Sequence, residues 1–273
     1  MPTRPSFSKL PKPIITGILF NRTPEETIPM VRKAELDGAA AFDVNLRCML
    51  PEYRNEESLR KIFAASQKPF MCTFYRAPAD KATADDTDEA RQLVLEQAIN
   101  AGASIVDVMG DLYDPSQYEL THNPEAIEKQ MRLIEHFHSL GAEVVMSSHM
   151  PEHRTPEEIL EHLREQERRG ADMVKIVSGV NNEEELVDAI RTSILLKREM
   201  HTPYIHLSNG SYASLHRYIG PILGGCLAFC QPQYDLYHQN AMQPLVKSLK
   251  TVLDNIVWRL PRGNDDGSSS KNI

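Results

Sequence analysis

Short apolar runs rich in β-branched residues alternate along this chain with longer segments whose apolar residues recur at helical spacing. The short runs predict strands over residues 13–20, 39–46, 69–74, 104–109, 143–148, 172–177, 203–207 and 226–230. Each is followed by a predicted helix, and these helices begin at Pro24 or span residues 57–67, 85–101, 124–140, 156–169, 183–200, 212–219 and 241–257. Two helix starts repeat one pattern, a threonine, a proline and two glutamates, at Thr23 and at Thr155.

Eight strand–helix units in one chain of 273 residues predict an α/β protein with a parallel sheet. We expect a single-domain (β/α)₈ TIM barrel over residues 13–260, preceded by an N-terminal extension over residues 1–12. The polar tail over residues 261–273 is expected to be disordered. A doubly wound open sheet is the alternative, but no glycine-rich phosphate loop follows an early strand.

Composition narrows the function classes without choosing among them. The net charge is −8 and no basic stripe is visible, so we expect no nucleic-acid partner. No run approaches the roughly 18 apolar residues of a membrane helix, and residues 1–13 lack the apolar core of a signal peptide. The four cysteines have no metal-binding spacing, which is typical of reduced thiols in a cytoplasmic protein without a metal site.

Lys175 lies inside an apolar run that otherwise predicts a buried strand. Such a lysine either extends its ammonium to solvent, pairs with a carboxylate, or loses its proton and becomes a nucleophile toward a carbonyl. In a barrel, the carboxyl ends of the strands form the active site, and His149 and several arginines fall at those predicted ends. Arginines bind carboxylates and would lower the lysine pKa, while histidine transfers protons near neutrality. The pattern predicts a small anionic substrate that carries a carbonyl.

Several segments carry a family resemblance. They are Leu46-Arg47, Thr73-Phe74-Tyr75-Arg76, Val144 to His149, Thr155 to Glu158, Gly170 to Ile176, Pro203 to Ser208 and Leu215 to Gly220. Together they resemble type I 3-dehydroquinate dehydratases. The resemblance implies a (β/α)₈ barrel that forms a homodimer and uses no metal or organic cofactor. It also implies dehydration of 3-dehydroquinate to 3-dehydroshikimate.

The resemblance further implies roles for individual residues. Lys175 would form a Schiff base with the substrate ketone, and His149 would act first as base and then as acid. Arg217 would hold the substrate carboxylate, and Phe229 would line the pocket. Arg47 and Arg76 would lie near the ring hydroxyls.

Other positions depart from the family pattern. Asn45 stands where the family usually has glutamate, and Met109 stands where it has an acidic residue. Asn209 ends an altered seventh-strand motif, Asp80-Lys81-Ala82 replaces a glutamate followed by glycines, and Gln239 lies in an unusual closing loop. Asn45, Asn209 and Gln239 are therefore expected to contact the substrate. The expected substrate is 3-dehydroquinate or a related cyclic keto acid. The alternatives are an aldolase-type Schiff-base lyase and a non-catalytic barrel that binds a metabolite.

Overall fold

All eight predicted strands are present and form one parallel sheet. The computed structural model describes residues 5–77, 86–234 and 242–261. The strands are Ile14–Leu19 (β1), Ala41–Asn45 (β2), Phe70–Thr73 (β3), Ile105–Met109 (β4), Glu143–His149 (β5), Met173–Gly179 (β6), Tyr204–Asn209 (β7) and Leu227–Cys230 (β8). Their order is β7-β6-β5-β4-β3-β2-β1-β8. Residues 1–4, 78–85 and 235–241 lie outside the described residues, as do residues 262–273 of the tail predicted over 261–273.

The sheet curls into a barrel rather than remaining open. β8 pairs with β1 along its length, from Ile14 opposite Leu227 to Gly17 opposite Cys230. The backbone N–H of Cys226, just before β8, donates to the carbonyl of Tyr204 in β7 at 2.9 Å. The open doubly wound sheet is therefore wrong, because its edge strands would not meet in this way.

A helix follows each strand around the outside of the barrel. The helices are Pro24–Leu36 (α1), Glu56–Phe63 (α2), Asp88–Ala101 (α3), Pro124–Ser139 (α4), Pro156–Arg168 (α5), Glu183–Glu199 (α6), Ala213–Ile219 (α7) and Val246–Asn255 (α8), with a short 3₁₀ turn at Pro51–Tyr53. Thr23 caps α1, and Thr155 and Glu158 form a reciprocal capping box at α5. None of the helices in the described ranges is long and apolar enough to cross a membrane.

The last helix is shorter than predicted. The sequence predicts a helix over 241–257, whereas α8 begins at Val246 and ends at Asn255. Leu245 forms a parallel bridge with Gln231, and the N–H of Gln231 donates to the carbonyl of Pro244 at 2.9 Å. These backbone groups are used in extended pairing beyond β8, so the helix starts only after them.

The amino-terminal segment belongs to the barrel core and is more than an extension. Phe7 is fully buried among side chains that fill the barrel interior, which include Ile14, Ile105 and Met173. The carboxylate of Glu143, the first residue of β5, accepts hydrogen bonds from the N–H groups of Phe7 and Ser8 at 2.9 and 3.0 Å. Residues 5–12 therefore close the amino-terminal end of the barrel, opposite the end that carries the catalytic groups in barrel enzymes.

We expect Phe7→Ala to lower the free energy of unfolding by about 3–5 kcal/mol, because it removes a fully buried aromatic ring and leaves a cavity. Urea denaturation followed by circular dichroism measures the change. The control is Leu36→Ala, which removes an 87% exposed side chain and should cost less than about 0.5 kcal/mol. Equal losses of stability in the two variants would show that Phe7 does not pack in the barrel core.

Candidate active site

A cavity of about 220 Å³ opens at the carboxyl ends of the barrel strands. Seven of the eight strands contribute a side chain to its wall, and the loops and helices that follow them contribute the rest. The lining residues are Ile18, Phe20, Asp43, Asn45, Thr73, Tyr75, His149, Lys175, Val177, Leu207, Arg217, Phe229 and Gln243. The cavity therefore brings together five residues predicted from the sequence: Lys175, His149, Arg217, Asn45 and Phe229.

Lys175 is buried and its ammonium group has specific partners. The side chain stands on the inner face of β6, and the residue is only 4% exposed. Its Nζ donates a hydrogen bond to the Tyr75 hydroxyl, which in turn donates to Oδ2 of Asp107 in β4. The same carboxylate oxygen lies 3.6 Å from Nζ. Of the alternatives given for this lysine, extension of the ammonium to solvent is thus wrong, and the group is held by a carboxylate and a phenol.

Aromatic rings enclose the same ammonium group. The ring centres of Tyr75 and Phe229 lie 4.8 and 4.9 Å from Lys175 Nζ, within cation–π range. Burial, followed by the negative charge of Asp107, raises the pKa of Tyr75 well above its ordinary value. Tyr75 is therefore a neutral hydrogen-bond donor and acceptor between the lysine and the aspartate.

Gln166 of α5 fixes the backbone of Lys175. Its Oε1 accepts from the Lys175 N–H at 3.1 Å, and its Nε2 donates to the Lys175 carbonyl at 3.2 Å and to Ser148 Oγ at 3.0 Å. Gln166 is fully buried, so these bonds are formed away from water. Helix α5 thereby fixes the position of Lys175 along the barrel axis.

His149 ends β5 beside the lysine strand and is oriented by Glu119. The Glu119 carboxylate accepts from the His149 backbone N–H at 2.6 Å and lies 3.2 Å from Nδ1. Burial and the neighbouring Lys175 charge lower the pKa of His149, while Glu119 acts in the opposite direction. The imidazole is therefore neutral near pH 7, and a hydrogen on Nδ1 directed at Glu119 leaves Nε2 as the basic nitrogen. The His149 ring also meets Tyr75 edge-on, with ring centres 4.4 Å apart.

Glu119 was not predicted from the sequence. It lies in the loop between β4 and α4, ten residues beyond the end of its strand, so strand-end position does not identify it. Burial raises its carboxyl pKa, but hydrogen bonds and charge from His149 outweigh that effect and leave the pKa below its ordinary value. Its φ of 48° is unusual for a residue other than glycine and is the local signal of a constrained position.

Arg217 lies in α7 with its guanidinium group buried against the cavity. Its Nε donates to the carbonyl of Ser208 at 2.7 Å, whereas Nη1 has no hydrogen-bond partner among the described residues. Burial lowers its pKa to about 10, so the group remains a cation at neutral pH. A buried cation with a free donor is suited to bind a carboxylate.

Arg47 and Arg76 do not line the cavity. Arg47 donates to the Tyr75 carbonyl through Nε and Nη2 and pairs with Asp86 at 2.8 Å. Arg76 pairs with Asp111 at 3.1 Å. Side chains alternate along the extended segment from β3, so Thr73 and Tyr75 face inward while Arg76 faces away. The third-strand residue brought into the cavity is thus Tyr75, and the predicted hydroxyl contacts of Arg47 and Arg76 find no support in this geometry.

The remaining predicted residues have mixed placements. Asn45 lines the cavity and its Oδ1 accepts from the Cys48 N–H at 3.3 Å. Asn209 lies outside the lining and donates to the Met150 carbonyl at 3.1 Å, joining two strand ends. Gln239, the altered closing loop and Asp80 to Ala82 lie outside the described residues.

Fold and site together define a (β/α)₈ barrel protein whose cavity holds a lysine and a histidine on neighbouring strands. A family model described as type I 3-dehydroquinase matches residues 19–257. Because this match covers most of the chain, the protein belongs to the type I 3-dehydroquinase family.

Individual relatives agree with that assignment. The chain is 28% identical to a 3-dehydroquinate dehydratase of Klebsiella pneumoniae subsp. pneumoniae over 165 residues, which is 59% of this chain and 60% of the relative. It is 30% identical to the 3-dehydroquinate dehydratase of Alkaliphilus oremlandii over 113 residues, covering 41% of this chain and 43% of the relative. The matched part thus spans about half the length of these curated relatives.

Solved structures show the same fold. The 3-dehydroquinate dehydratase of Geobacillus kaustophilus superimposes with a TM-score of 0.74 at 15% identity, covering 93% of this chain and 96% of that one. The type I enzyme from Clostridium difficile, described with covalently modified comenic acid, gives 0.74 at 17% identity and covers 93% and 98%. At these identities the likeness establishes the barrel fold alone.

We expect Glu119→Gln to lower the pKa of His149 further, because the carboxylate that favours the imidazolium form is lost. Titration of the histidine ring signals by NMR measures this pKa. The control is Glu161→Gln, which removes an equal charge from a side chain that pairs with Arg168. An unchanged or raised His149 pKa in the Glu119 variant would contradict the assigned contact.

Proposed function

We propose that this protein dehydrates 3-dehydroquinate, or a closely related cyclic keto acid, through an imine on Lys175. The observation that carries the proposal is the placement of Lys175, His149 and Arg217 around one cavity. Membership in the type I 3-dehydroquinase family and the names of its relatives support the same reaction. The three groups supply a nucleophile for a ketone, a base for the adjacent carbon and a cation for a carboxylate.

The first step needs the lysine as a neutral amine. The Lys175 ammonium donates to the Tyr75 hydroxyl, and Tyr75 donates to Asp107, so one proton can move from nitrogen to the phenol oxygen as another moves to the carboxylate. The free amine then adds to the substrate ketone. The ketone oxygen leaves as water and a carbon–nitrogen double bond to Lys175 remains, which is protonated by the proton that returns from Asp107 through Tyr75.

The second step is elimination. The protonated imine withdraws electrons from the neighbouring carbon, so Nε2 of His149 can remove a proton there and form an enamine. The electron pair returns to expel the β-hydroxyl, which leaves as water with the proton held by His149. Hydrolysis of the conjugated imine then releases the enone product and restores Lys175.

A second candidate keeps the imine but changes the substrate. Arg47 and Arg76 lie outside the cavity, and Asn45 replaces the glutamate usual in the family, so the contacts expected for the ring hydroxyls of dehydroquinate are altered. This observation favours retro-aldol cleavage or elimination on another keto acid. Trapping a panel of carbonyl acids distinguishes the two candidates, since under the first only 3-dehydroquinate and closely related cyclic keto acids form an adduct.

Trapping tests the imine directly. With 3-dehydroquinate and sodium borohydride, we expect the wild-type protein to gain the mass of one reduced adduct and Lys175→Ala to gain none. The control Lys129→Ala removes a lysine that is exposed on the surface, and this variant should gain the same adduct as the wild type. If the wild type shows neither an adduct nor the absorbance rise of a conjugated enone product, the dehydroquinate reaction is excluded.

Arg217 and Arg47 give opposite predictions for substrate binding. Arg217→Met should raise KM for 3-dehydroquinate by about 30- to 100-fold, because a charge-assisted contact worth roughly 2–3 kcal/mol is lost. Arg47→Met should change KM by less than about threefold, because its guanidinium already binds Tyr75 and Asp86. Steady-state kinetics decide between them. A larger rise in KM for the Arg47 variant would place the carboxylate site elsewhere.

A further inference from the structure

Besides Arg217, the cavity wall contains a second buried ionisable group with a free atom, which lies on β2. Asp43 is 1% exposed and lines the cavity. Its Oδ2 has a long contact of 3.4 Å with the Thr73 hydroxyl, and its Oδ1 has no hydrogen-bond partner among the described residues. Arg217 Nη1 is the corresponding free donor of the site.

The other ionisable groups of the cavity are already partnered. Lys175 is bound by Tyr75 and Asp107, and His149 by Glu119. A buried carboxyl oxygen without a partner costs free energy, and such atoms are rare unless a ligand satisfies them. An Asp43 retained for stability alone would be expected to show both of its oxygens paired within the protein.

The position of Asp43 defines what can reach it. In the sheet register Asp43 is opposite Ile18 of β1 and Met71 of β3. Both of these side chains face the barrel interior, and so does that of Asp43. Asn45 is two residues further on and occupies the same face, nearer the mouth. Lys175 stands on β6, four strands away in the circular order. A ring joined to Lys175 would therefore present its far substituents toward β2.

Burial raises the pKa of Asp43 to about 7, an effect that Lys175 opposes and Asp107 reinforces. The carboxyl can therefore accept a hydrogen bond when ionised, and it can donate or accept one when protonated. Either form can satisfy a hydroxyl, which is both donor and acceptor. A second carboxylate on the substrate would be repelled by the ionised form.

We propose that Asp43 is a specificity-determining residue whose free Oδ1 binds a ring hydroxyl of the substrate while Arg217 binds its carboxylate. This assignment rests on the proposed imine chemistry and narrows its substrate class. The substrate is a cyclic keto acid that carries one carboxylate and a hydroxyl placed to reach β2. Keto acids that lack this hydroxyl are poor substrates because they leave Asp43 unpaired.

A cycle of variants and substrates tests the assignment. The probes are 3-dehydroquinate and two analogues, one without the C4 hydroxyl and one without the C5 hydroxyl. The variants are Asp43→Leu and the shape-conserving Asp43→Asn, which keeps the assay usable if the leucine variant fails to fold. We expect Asp43→Leu to lower kcat/KM for 3-dehydroquinate by about 100-fold, the effect of losing a hydrogen bond to a charged group. For the analogue that lacks the hydroxyl bound by Asp43, the same substitution should lower kcat/KM by less than about threefold.

The conservative variant and the covalent step provide separate readouts. Asp43→Asn should lose less than Asp43→Leu on 3-dehydroquinate, and both should still form a borohydride-reduced adduct on Lys175 at saturating substrate. A variant with a general structural defect would form no adduct, so adduct formation shows that the site is intact.

The outcomes separate this proposal from the one on which it rests. Equal losses of kcat/KM on all three substrates, with an active wild type, would overturn the role of Asp43 and leave the imine reaction standing. Loss of the adduct in both variants would also overturn it, since Asp43 would then be supporting the lysine. A wild type that neither turns over nor traps 3-dehydroquinate would overturn both.

Discussion

The contact between the Lys175 ammonium, the Tyr75 hydroxyl and the Asp107 carboxylate is the interaction on which the rest of the site depends. Moving an ion from water into a protein interior costs several kcal/mol, and a carboxylate with further hydrogen bonds offsets that cost. Asp107 is itself satisfied on its other oxygen by the Ser147 hydroxyl. Three neighbouring parts of the barrel, β4, β5 and the end of β3, therefore have to keep their register for one lysine on β6 to remain buried.

The polar groups of the cavity discussed above are of two kinds, those with partners in the protein and those with a free atom. Lys175 and His149 are bound and oriented in the free protein, by Asp107 and Tyr75 in one case and by Glu119 in the other. Arg217 and Asp43 each keep an atom without a partner among the described residues. In the proposed reaction, the groups that would change protonation or form bonds are thus held in place, while the groups that would bind the substrate keep a free atom. This division is what preorganisation of an active site requires.

Much of this architecture was predictable from the sequence, and the exceptions share a cause. The β-branched runs located all eight strands because a parallel sheet buried on both faces leaves a continuous apolar pattern. Lys175 stands out because it interrupts an apolar strand, and His149 because it ends one. Arg47 and Arg76 fall at strand ends too, but the backbone turns or alternates there, and nearby acidic residues bind them outside the cavity. Glu119 and Gln166 act through contacts between elements far apart in the chain, which no local pattern records.

A crystal structure of the protein reduced with borohydride in the presence of 3-dehydroquinate would show directly whether Lys175 forms the imine. We expect continuous density from Lys175 Nζ to the former ketone carbon, with the substrate carboxylate bound at Nη1 of Arg217. We also expect His149 Nε2 to lie beside the carbon next to the imine. Density for an unattached ligand, or a covalent bond to any residue other than Lys175, would rule out an imine on Lys175.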